Sequence, residues 1–559
     1  MLAAVVMFEL SFIIDTLDCR KKVTATADCV NAILEGAMGV KRVAIVGAGV
    51  GGLAAAIELA AHGCDVTLVE KFGTPGGKLR EVDAGGVRID AGPTVFTLRE
   101  VFDDLFGRAG ASLDDYVTVR PAQVLARHGW ERGGALDLFA DVAETVDAIG
   151  HFAGMGDAKG YLSFCVEAQN IYRILDKSFI RAQKPSLPLL IWRIGPHKFE
   201  DLWRINPYQT LWNAVCRHMG DPRLRQLFGR YSTYCGASPF SAPATLMLIA
   251  HVEQRGVWLI DGGMHKLAVA MAAAAAKLGV KIRYNTEAAE VIALNGKVLG
   301  IALAGGERLD ADAVVLNADA SAVSGGLLGS QAAKATRPVP GRRRSLSALT
   351  WAFQAKASGF PLARHTVFFP DAPYASEFEA IFRHKSLPPH PAIYLCAQDR
   401  DDRGKATSGD HERFLGVVNA PAMLDNTALS LSEIEECETK TFRLMKACGL
   451  SLEPKDGATV RTGPEEFEKL FPGTGGAIYG RVSHGWMASF QRQSIRSRMS
   501  GLYFAGGSVH PGPGIPMAAV SGQLASQAVL ADFASKKTWS AAVTPGGISM
   551  RSATTTATD

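Results

Sequence analysis

The first strong pattern along the chain is a short apolar run closed by glycine and followed by apolar residues at helical spacing. KRVAIV, Lys41 to Val46, is β-branched and apolar beyond its two basic residues, as a strand buried on both faces would be. Gly47-Ala-Gly-Val-Gly-Gly52 comes next. LAAAIELAAHG, Leu53 to Gly63, then predicts a helix stopped by glycine, and CDVTLVE, Cys64 to Glu70, a second buried strand. Glycines at 47, 49 and 52 stand in GxGxxG register, with an acid ending the second strand. In such a unit Gly47 permits the tight turn, Gly49 lets a pyrophosphate approach the helix N-terminus, and Gly52 lets helix and sheet lie close. Glu70 is placed to accept from both ribose hydroxyls of an adenosine.

Further along, GVWLIDGGMHKLAVAMAAAAAKLGVKIRYN, Gly256 to Asn285, reads as strand or loop, helix and strand. ALNGKVLGIALAGGERLDADAVVLNAD, Ala293 to Asp319, predicts a hairpin turning at Asn295-Gly296 and then a buried strand. Residues 116–255 carry apolar and aromatic residues at helical spacings, as in GYLSFCVEAQNIYRIL, whereas 331–479 are richer in strand patterns such as ALTWAFQA and HTVFFP. Near the end, LYFAGG, Leu502 to Gly507, is another strand closed by glycines, and HPGPGIPMAAVSG, His510 to Gly522, is a Pro- and Gly-rich entrance to a last helix. Helix starts leave N–H groups without intrahelical partners. Those of Gly514, Ile515 and Met517 are free to face a negative charge, Pro516 having none.

Composition narrows the class. The 559 residues are 47% hydrophobic, enough for more than one domain. Fifty-nine basic against 55 acidic residues is too even a balance for a nucleic-acid binder, although it is compatible with an anionic membrane surface. Nine scattered cysteines with no CxxC pair indicate neither a disulfide framework nor a zinc site, and no metal site is expected. A reducing, cytoplasmic setting is the default expectation. No apolar run reaches the length of a membrane-spanning helix. Residues 1–38 read as an N-terminal extension ahead of Met38 and 536–559 as a disordered tail.

After Glu70 the chain runs KFGTPGGKLREVDAGGVRIDAGPTVF rather than into further strand–helix units. A glycine pair, Gly76-Gly77, followed by Lys78 and Arg80, resembles the glutathione-reductase-like flavoproteins and implies FAD rather than NAD; either basic residue could face phosphate or flavin. Together with YCGASPFSAPA at Tyr234 to Ala244 and the HPGPGIP segment, the whole of Met38 to about Asp532 resembles the bacterial carotenoid desaturases, the phytoene-desaturase-like flavoproteins. HPGPGIPMA and QNIYRILDKSFIRAQKP most resemble the hydroxycarotenoid 3,4-desaturases, or methoxyneurosporene dehydrogenases.

The resemblance implies an α/β fold with a discontinuous, Rossmann-like FAD domain (39–115, 256–330 and 480–535) and an α+β substrate and membrane-contact domain (116–255 and 331–479). Gly77, Lys78, the backbone around Val291, Gly506, Gly507, Gly514, Ile515 and Met517 would then contact FAD. The implied reaction moves a hydride from one carbon of a polyene to the flavin and a proton from its neighbour. The helix-start N–H groups suit the charge that the hydride brings. His510 is the candidate proton acceptor, beside the alternative that a delocalised carbocation needs none. A C40 carotenoid must come from a membrane, so peripheral contact with an inner or intracytoplasmic membrane is expected, with SLPLLIWRIG, Ser186 to Gly195, as the candidate loop. The electron acceptor, quinone or oxygen, is left open. The competing readings are a phytoene desaturase, a polyene isomerase or saturase, an amine or protoporphyrinogen oxidase, and a non-redox lipid-binding escort protein.

Overall fold

Arg42–Val46 is the centre of a five-stranded parallel sheet. Asp65–Val69 and then Lys281–Arg283 lie on one side of it, Ala313–Leu316 and then Leu502–Phe504 on the other. This computed structural model describes residues 40–183, 208–407, 409–424 and 428–540. The sheet therefore draws strands from segments hundreds of residues apart, and each parallel neighbour requires a crossover between them. Strand order reverses at the central strand, and its carboxyl end is where an open parallel sheet forms a ligand crevice.

The fingerprint helix, Val50–Ala61, begins three residues earlier than its apolar spacing predicts, so Gly51 and Gly52 lie within its first turn. It is buried over most of its length, and Gly63 at φ +79° ends it as foreseen. The closing helix, Ile515–Ser540, packs along it and runs past the boundary expected at 535. Their approach is set by glycine: a Cβ on Gly522 would fall 2.3 Å from the Gly51 carbonyl oxygen and 2.9 Å from the Ala54 Cβ. The Asn295-Gly296 turn has φ of 51° and 74°, joining Ala288–Leu294 to Lys297–Leu303 as a tight hairpin.

The second half is built on a seven-stranded mixed sheet whose strands come from 124–139 and 347–462. Val124–Trp130 pairs in parallel with His365–Phe369, and this pairing stitches the two sequence segments together. Helix Met155–Leu175 covers the neighbouring core with Tyr161, Phe164, Ala168 and Ile171. The two halves are less separate than the expected boundary at 115 implies. Val119–Pro121 and Phe96–Thr97 both pair with Val257–Ile260, so a hydrogen-bonded sheet spans that boundary.

Arg344 donates to the Met423 carbonyl at 2.9 Å. The extension 1–38, the expected membrane loop Ser186 to Gly195 and residues 541–559 lie outside the described residues. Among the described residues no helix is long and apolar enough to cross a membrane, and no cluster of metal ligands occurs.

Placing a methyl at the helix–helix crossing should be costly, because the atom it would meet is backbone. Gly522→Ala is expected to destabilise the protein by about 1–3 kcal/mol, seen as a lower thermal-unfolding midpoint. An unchanged midpoint would mean that the crossing relaxes freely.

Candidate active site

The glycine turn sits at the carboxyl end of the central strand, and each of its glycines has a steric reason. Gly47 has φ +100° and donates to the Val69 carbonyl at 2.8 Å, which ties the turn to the second strand. A Cβ on Gly52 would lie 2.1 Å from the Gly47 carbonyl oxygen. Gly49 also leaves room for a neighbouring side chain: a Cβ there would lie 2.5 Å from the Asn317 side chain. Asn317 follows the strand Ala313–Leu316, and its amide accepts from Gly49 N–H at 3.1 Å while donating to the Ala505 carbonyl at 3.3 Å. Gly506, at φ +113°, packs against the same amide, where a Cβ would fall 2.7 Å from the Asn317 side chain. One side chain thus joins the first and last strand–turn–helix units. Asn317 had a faint signal in the sequence, being the first polar residue after AVVL.

Glu70 is buried at the end of the second strand. Its Oε2 accepts from Ala48 N–H at 2.7 Å and its Oε1 from Phe72 N–H at 3.0 Å. These bonds aim the carboxylate at the turn, and each oxygen retains a further acceptor position. Gly77, at φ +59°, lies against Gly49, and Gly76 donates to the Ala48 carbonyl at 2.8 Å. The glycine pair therefore forms the second wall of a cradle whose first wall is the turn. Val291 is placed differently from expectation: its N–H is taken by the Leu328 carbonyl at 3.0 Å and its side chain is core. The segment that reaches Glu70 begins at Thr286, whose N–H donates to the Glu70 carbonyl at 2.8 Å.

Lys78 and Arg80 separate in role. Arg80 reaches across to Thr462 at 3.2 Å and over the Phe467 ring, so it ties the two halves together. Lys78 donates to the Ile478 carbonyl at 2.7 Å, and burial lowers its pKa against the opposing pull of Asp319. Arg492, which no local sequence pattern marks, is buried beneath the HPGPG turn. It donates to the Tyr479 carbonyl at 3.2 Å and Ser483 Oγ at 2.9 Å, and it too lies within the field of Asp319. Among the described residues Asp319 Oδ2 is buried without a hydrogen-bond partner. Two buried cations thus share one carboxylate, leaving the region net positive.

Beside these charges, Gly507 packs near Pro513, and Gly514 precedes the closing helix with φ +114°. Among the described residues the N–H groups of Gly514, Ile515 and Met517 make no backbone hydrogen bond, and the first carbonyl of the helix to be used is that of Gly514, accepting from Ala518 at 2.9 Å. They are available as donors at the positive end of a helix dipole.

His510 is fully buried and edge-on to Phe179, with ring centroids 5.1 Å apart. Burial lowers its pKa to about 4, so the imidazole is neutral near neutral pH. The backbone of Phe179–Ala182 passes close by, yet neither ring nitrogen has a hydrogen-bond partner among the described residues.

The substrate half faces this turn with aromatic residues. Tyr234 keeps 39% of its surface accessible, and desolvation followed by the neighbouring Glu253 raises its pKa. Tyr479 stands beside it, so close to the backbone that a Cβ on Gly236 would lie 2.6 Å from its ring. Behind Tyr234, Tyr231 donates to Glu253 Oε2 at 2.7 Å. Burial pushes the Glu253 carboxyl up to about 7, against the opposing hydrogen bonds from Tyr231 and Tyr234. The sequence did not mark this cluster, because its members are spread over a 3₁₀ turn and a short helix.

The cradle of glycine backbone, the oriented Glu70 carboxylate, the free helix N–H groups and the positive field fit a dinucleotide whose far end accepts charge. The comparisons agree. The family model of flavin-containing amine oxidoreductases matches residues 50–530. The chain is 50% identical over 516 residues to the hydroxyneurosporene desaturase of Rubrivivax gelatinosus, covering 92% of this chain and 98% of that one. It is 42% identical to the hydroxyneurosporene desaturase of Cereibacter sphaeroides, covering 89% and 99%. In fold it is similar to the crystal structure of an oxidoreductase from Methanosarcina mazei, with a TM-score of 0.55 at 15% identity over 88% of this chain and 100% of that one. The chain belongs to the flavin-containing amine oxidoreductase family, on its carotenoid desaturase branch, and FAD is its cofactor.

The Glu253 shift has a measurable sign. An ordinary glutamate ionises near 4.5, so between there and about 7 the folded protein holds a proton that the unfolded chain has released. Stability from this group falls as pH rises through that window. Between about pH 5 and about pH 8, wild type should lose about 1–3 kcal/mol relative to Glu253→Gln in paired unfolding measurements. Parallel pH curves for the two proteins would remove the raised pKa.

Proposed function

We propose that this member of the family is an FAD-dependent desaturase that introduces a C=C bond into a long carotenoid, by 3,4-desaturation of a 1-hydroxy or 1-methoxy carotenoid such as 1-hydroxyneurosporene. The observation that carries the reading is half-identity, over nearly the full length of both chains, to a hydroxyneurosporene desaturase, with the glycine turn and Glu70 intact. FAD, when bound, supplies the two-electron acceptor for a hydride leaving carbon.

The chain's own residues would divide the remaining work. Gly47, Gly49 and Gly52 bring backbone close to the pyrophosphate, Glu70 accepts from ribose hydroxyls, and Gly77 with Gly506 and Gly507 keeps side chains out of the cofactor's path. Thr286 and the residues just after it, rather than Val291, approach the adenosine end. The N–H groups of Gly514, Ile515 and Met517, with Lys78 and Arg492 behind them, hold a positive field where negative charge arrives. His510 offers a neutral ring nitrogen, at Nδ1 or Nε2, to a departing proton. Tyr234 and Tyr479 wall the polyene beside the turn and exclude water. The protein would take its substrate from a membrane surface to which it attaches peripherally, in the cytoplasm.

The test of the reading is direct. Protein reconstituted with FAD on lipid vesicles is incubated with 1-hydroxyneurosporene, neurosporene and phytoene, and products are identified by absorption spectrum and mass. Loss of two hydrogens from the hydroxylated substrate is expected, whereas conversion of phytoene alone would overturn the assignment. Protein that stays colourless after FAD is supplied would favour the escort reading.

Two variants separate cofactor binding from chemistry. Glu70→Ala should weaken FAD binding about ten-fold or more, equivalent to ~1.4 kcal/mol, in a flavin titration. His510→Ala should keep its flavin and lose turnover by about 10²-fold or more. Normal turnover in His510→Ala would end its role as proton acceptor.

A further inference from the structure

Arg230 stands out among the arginines of the protein interior. It follows helix Pro222–Gly229 and opens the 3₁₀ turn Arg230–Cys235 that carries Tyr231 and Tyr234. Its backbone is fixed from behind: a Cβ on Gly229 would lie 3.2 Å from Trp212 and 3.4 Å from Tyr374. Other half-buried or buried arginines are engaged, Arg400 with Glu412, Arg413 with Asp399, Arg127 with Asp137 and Arg492 with Tyr479 and Ser483. The half-buried guanidinium of Arg230 has no acidic partner within ion-pair distance and no hydrogen-bond acceptor among the described residues. Five N–H donors in a fixed planar fork are therefore uncommitted. A charged donor makes a stronger hydrogen bond than a neutral one, so this fork is suited to a ligand oxygen that reaches it.

The surroundings say what kind of acceptor. Tyr234, Tyr479, Tyr374, Glu377 and His128 all lie within the field of Arg230. Tyr374 is 8% exposed, and its hydroxyl is buried without a partner, a second unfilled polar position next to the first. The walls between are aromatic, with Tyr374 against Phe378 at 5.1 Å and Trp212 against Phe240 at 4.6 Å. Among the described residues no second cation supports Arg230: burial lowers the pKa of His128 to about 4, and the neighbouring Glu377, held by Asn419 at 2.7 Å, has its pKa raised by burial. An aromatic pocket with spare donors and little net charge suits a neutral oxygen on an apolar molecule better than a carboxylate or phosphate.

We propose that Arg230 is a specificity-determining residue that donates to the hydroxyl oxygen at the terminus of the polyene and so selects hydroxylated over unfunctionalised carotenoids. The inference rests on the desaturase reading above. Chemistry fixes where such a residue must be: a 3,4 double bond is two carbons from a 1-hydroxyl, so the group that reads the hydroxyl belongs at the reacting end. Arg230 meets that requirement, lying near Tyr234 and Tyr479, the latter tied through Arg492 to the HPGPG turn.

The test uses the FAD-loaded full chain on vesicles, with 1-hydroxyneurosporene and neurosporene compared in wild type, Arg230→Met and Arg230→Lys. Arg230→Met should lower kcat/KM for the hydroxylated polyene about 10- to 100-fold while leaving neurosporene within about two-fold. Arg230→Lys, which keeps the charge but not the fork, should fall between. Equal losses on both polyenes, or no change on either, would overturn the proposal. Quenching of protein tryptophan fluorescence by each polyene reads the binding preference without turnover. A wild type that converts neither polyene therefore defeats the desaturase reading, while the binding ratio still decides on Arg230. Flavin content and unfolding midpoint verify folding, and Arg230→Lys carries the test if Arg230→Met does not fold.

Discussion

The structure depends on a place where three backbone segments meet with no room for a Cβ. The turn Gly47–Gly52, the strand end at Gly506 and the closing helix at Gly522 lie so close that a Cβ on Gly51, Gly506 or Gly522 would clash, and Asn317 and Ser521, whose Oγ accepts from Gly506 N–H at 2.6 Å, reach between them. Parallel sheets leave their crevice at the carboxyl ends of the strands, and here that crevice is walled by main chain rather than side chains. Main-chain walls give a cofactor hydrogen-bond groups at fixed positions, with little conformational entropy left to lose on binding.

Around that seam the electrostatics are arranged rather than balanced. Lys78 and Arg492 are both buried, yet between them they have Asp319 as the nearby acid, and their N–H groups are spent on the carbonyls of Ile478 and Tyr479. Burying cations without paired carboxylates is unfavourable for folding alone. Such a cost makes sense where charge has to be received. The helix N-terminus and the buried Arg492 thus both bring positive potential to the HPGPG turn.

Much of this was legible in the sequence because its signals are local. The first strand, glycine turn, helix and Glu70 fall within one stretch of thirty residues, and the Asn295-Gly296 hairpin within two. The Pro and Gly residues from His510 onward announced a constrained helix start in the same way. What was not legible depends on contacts between distant segments. Asn317 matters because Gly49 and Ala505 come to it, Arg492 because the last turn folds over it, and the Val291 N–H is taken up because the chain near Leu328 returns to it. Arg230 is the clearest case: nothing in FGRYSTY distinguishes an unpartnered guanidinium from a paired one.

The sheet order has a consequence for how the protein is made. Its edge strand and the helix that seals the fingerprint helix come from Leu502 onward, although the central strand is at Arg42–Val46. During synthesis the amino-terminal unit must wait, its apolar helix uncovered, until more than four hundred further residues have been translated. The cofactor cradle is complete only once the residues from Leu502 onward have been made. Loading and completion of the polypeptide are thereby coupled, and a truncated product would be unable to hold flavin in an exposed, reactive form.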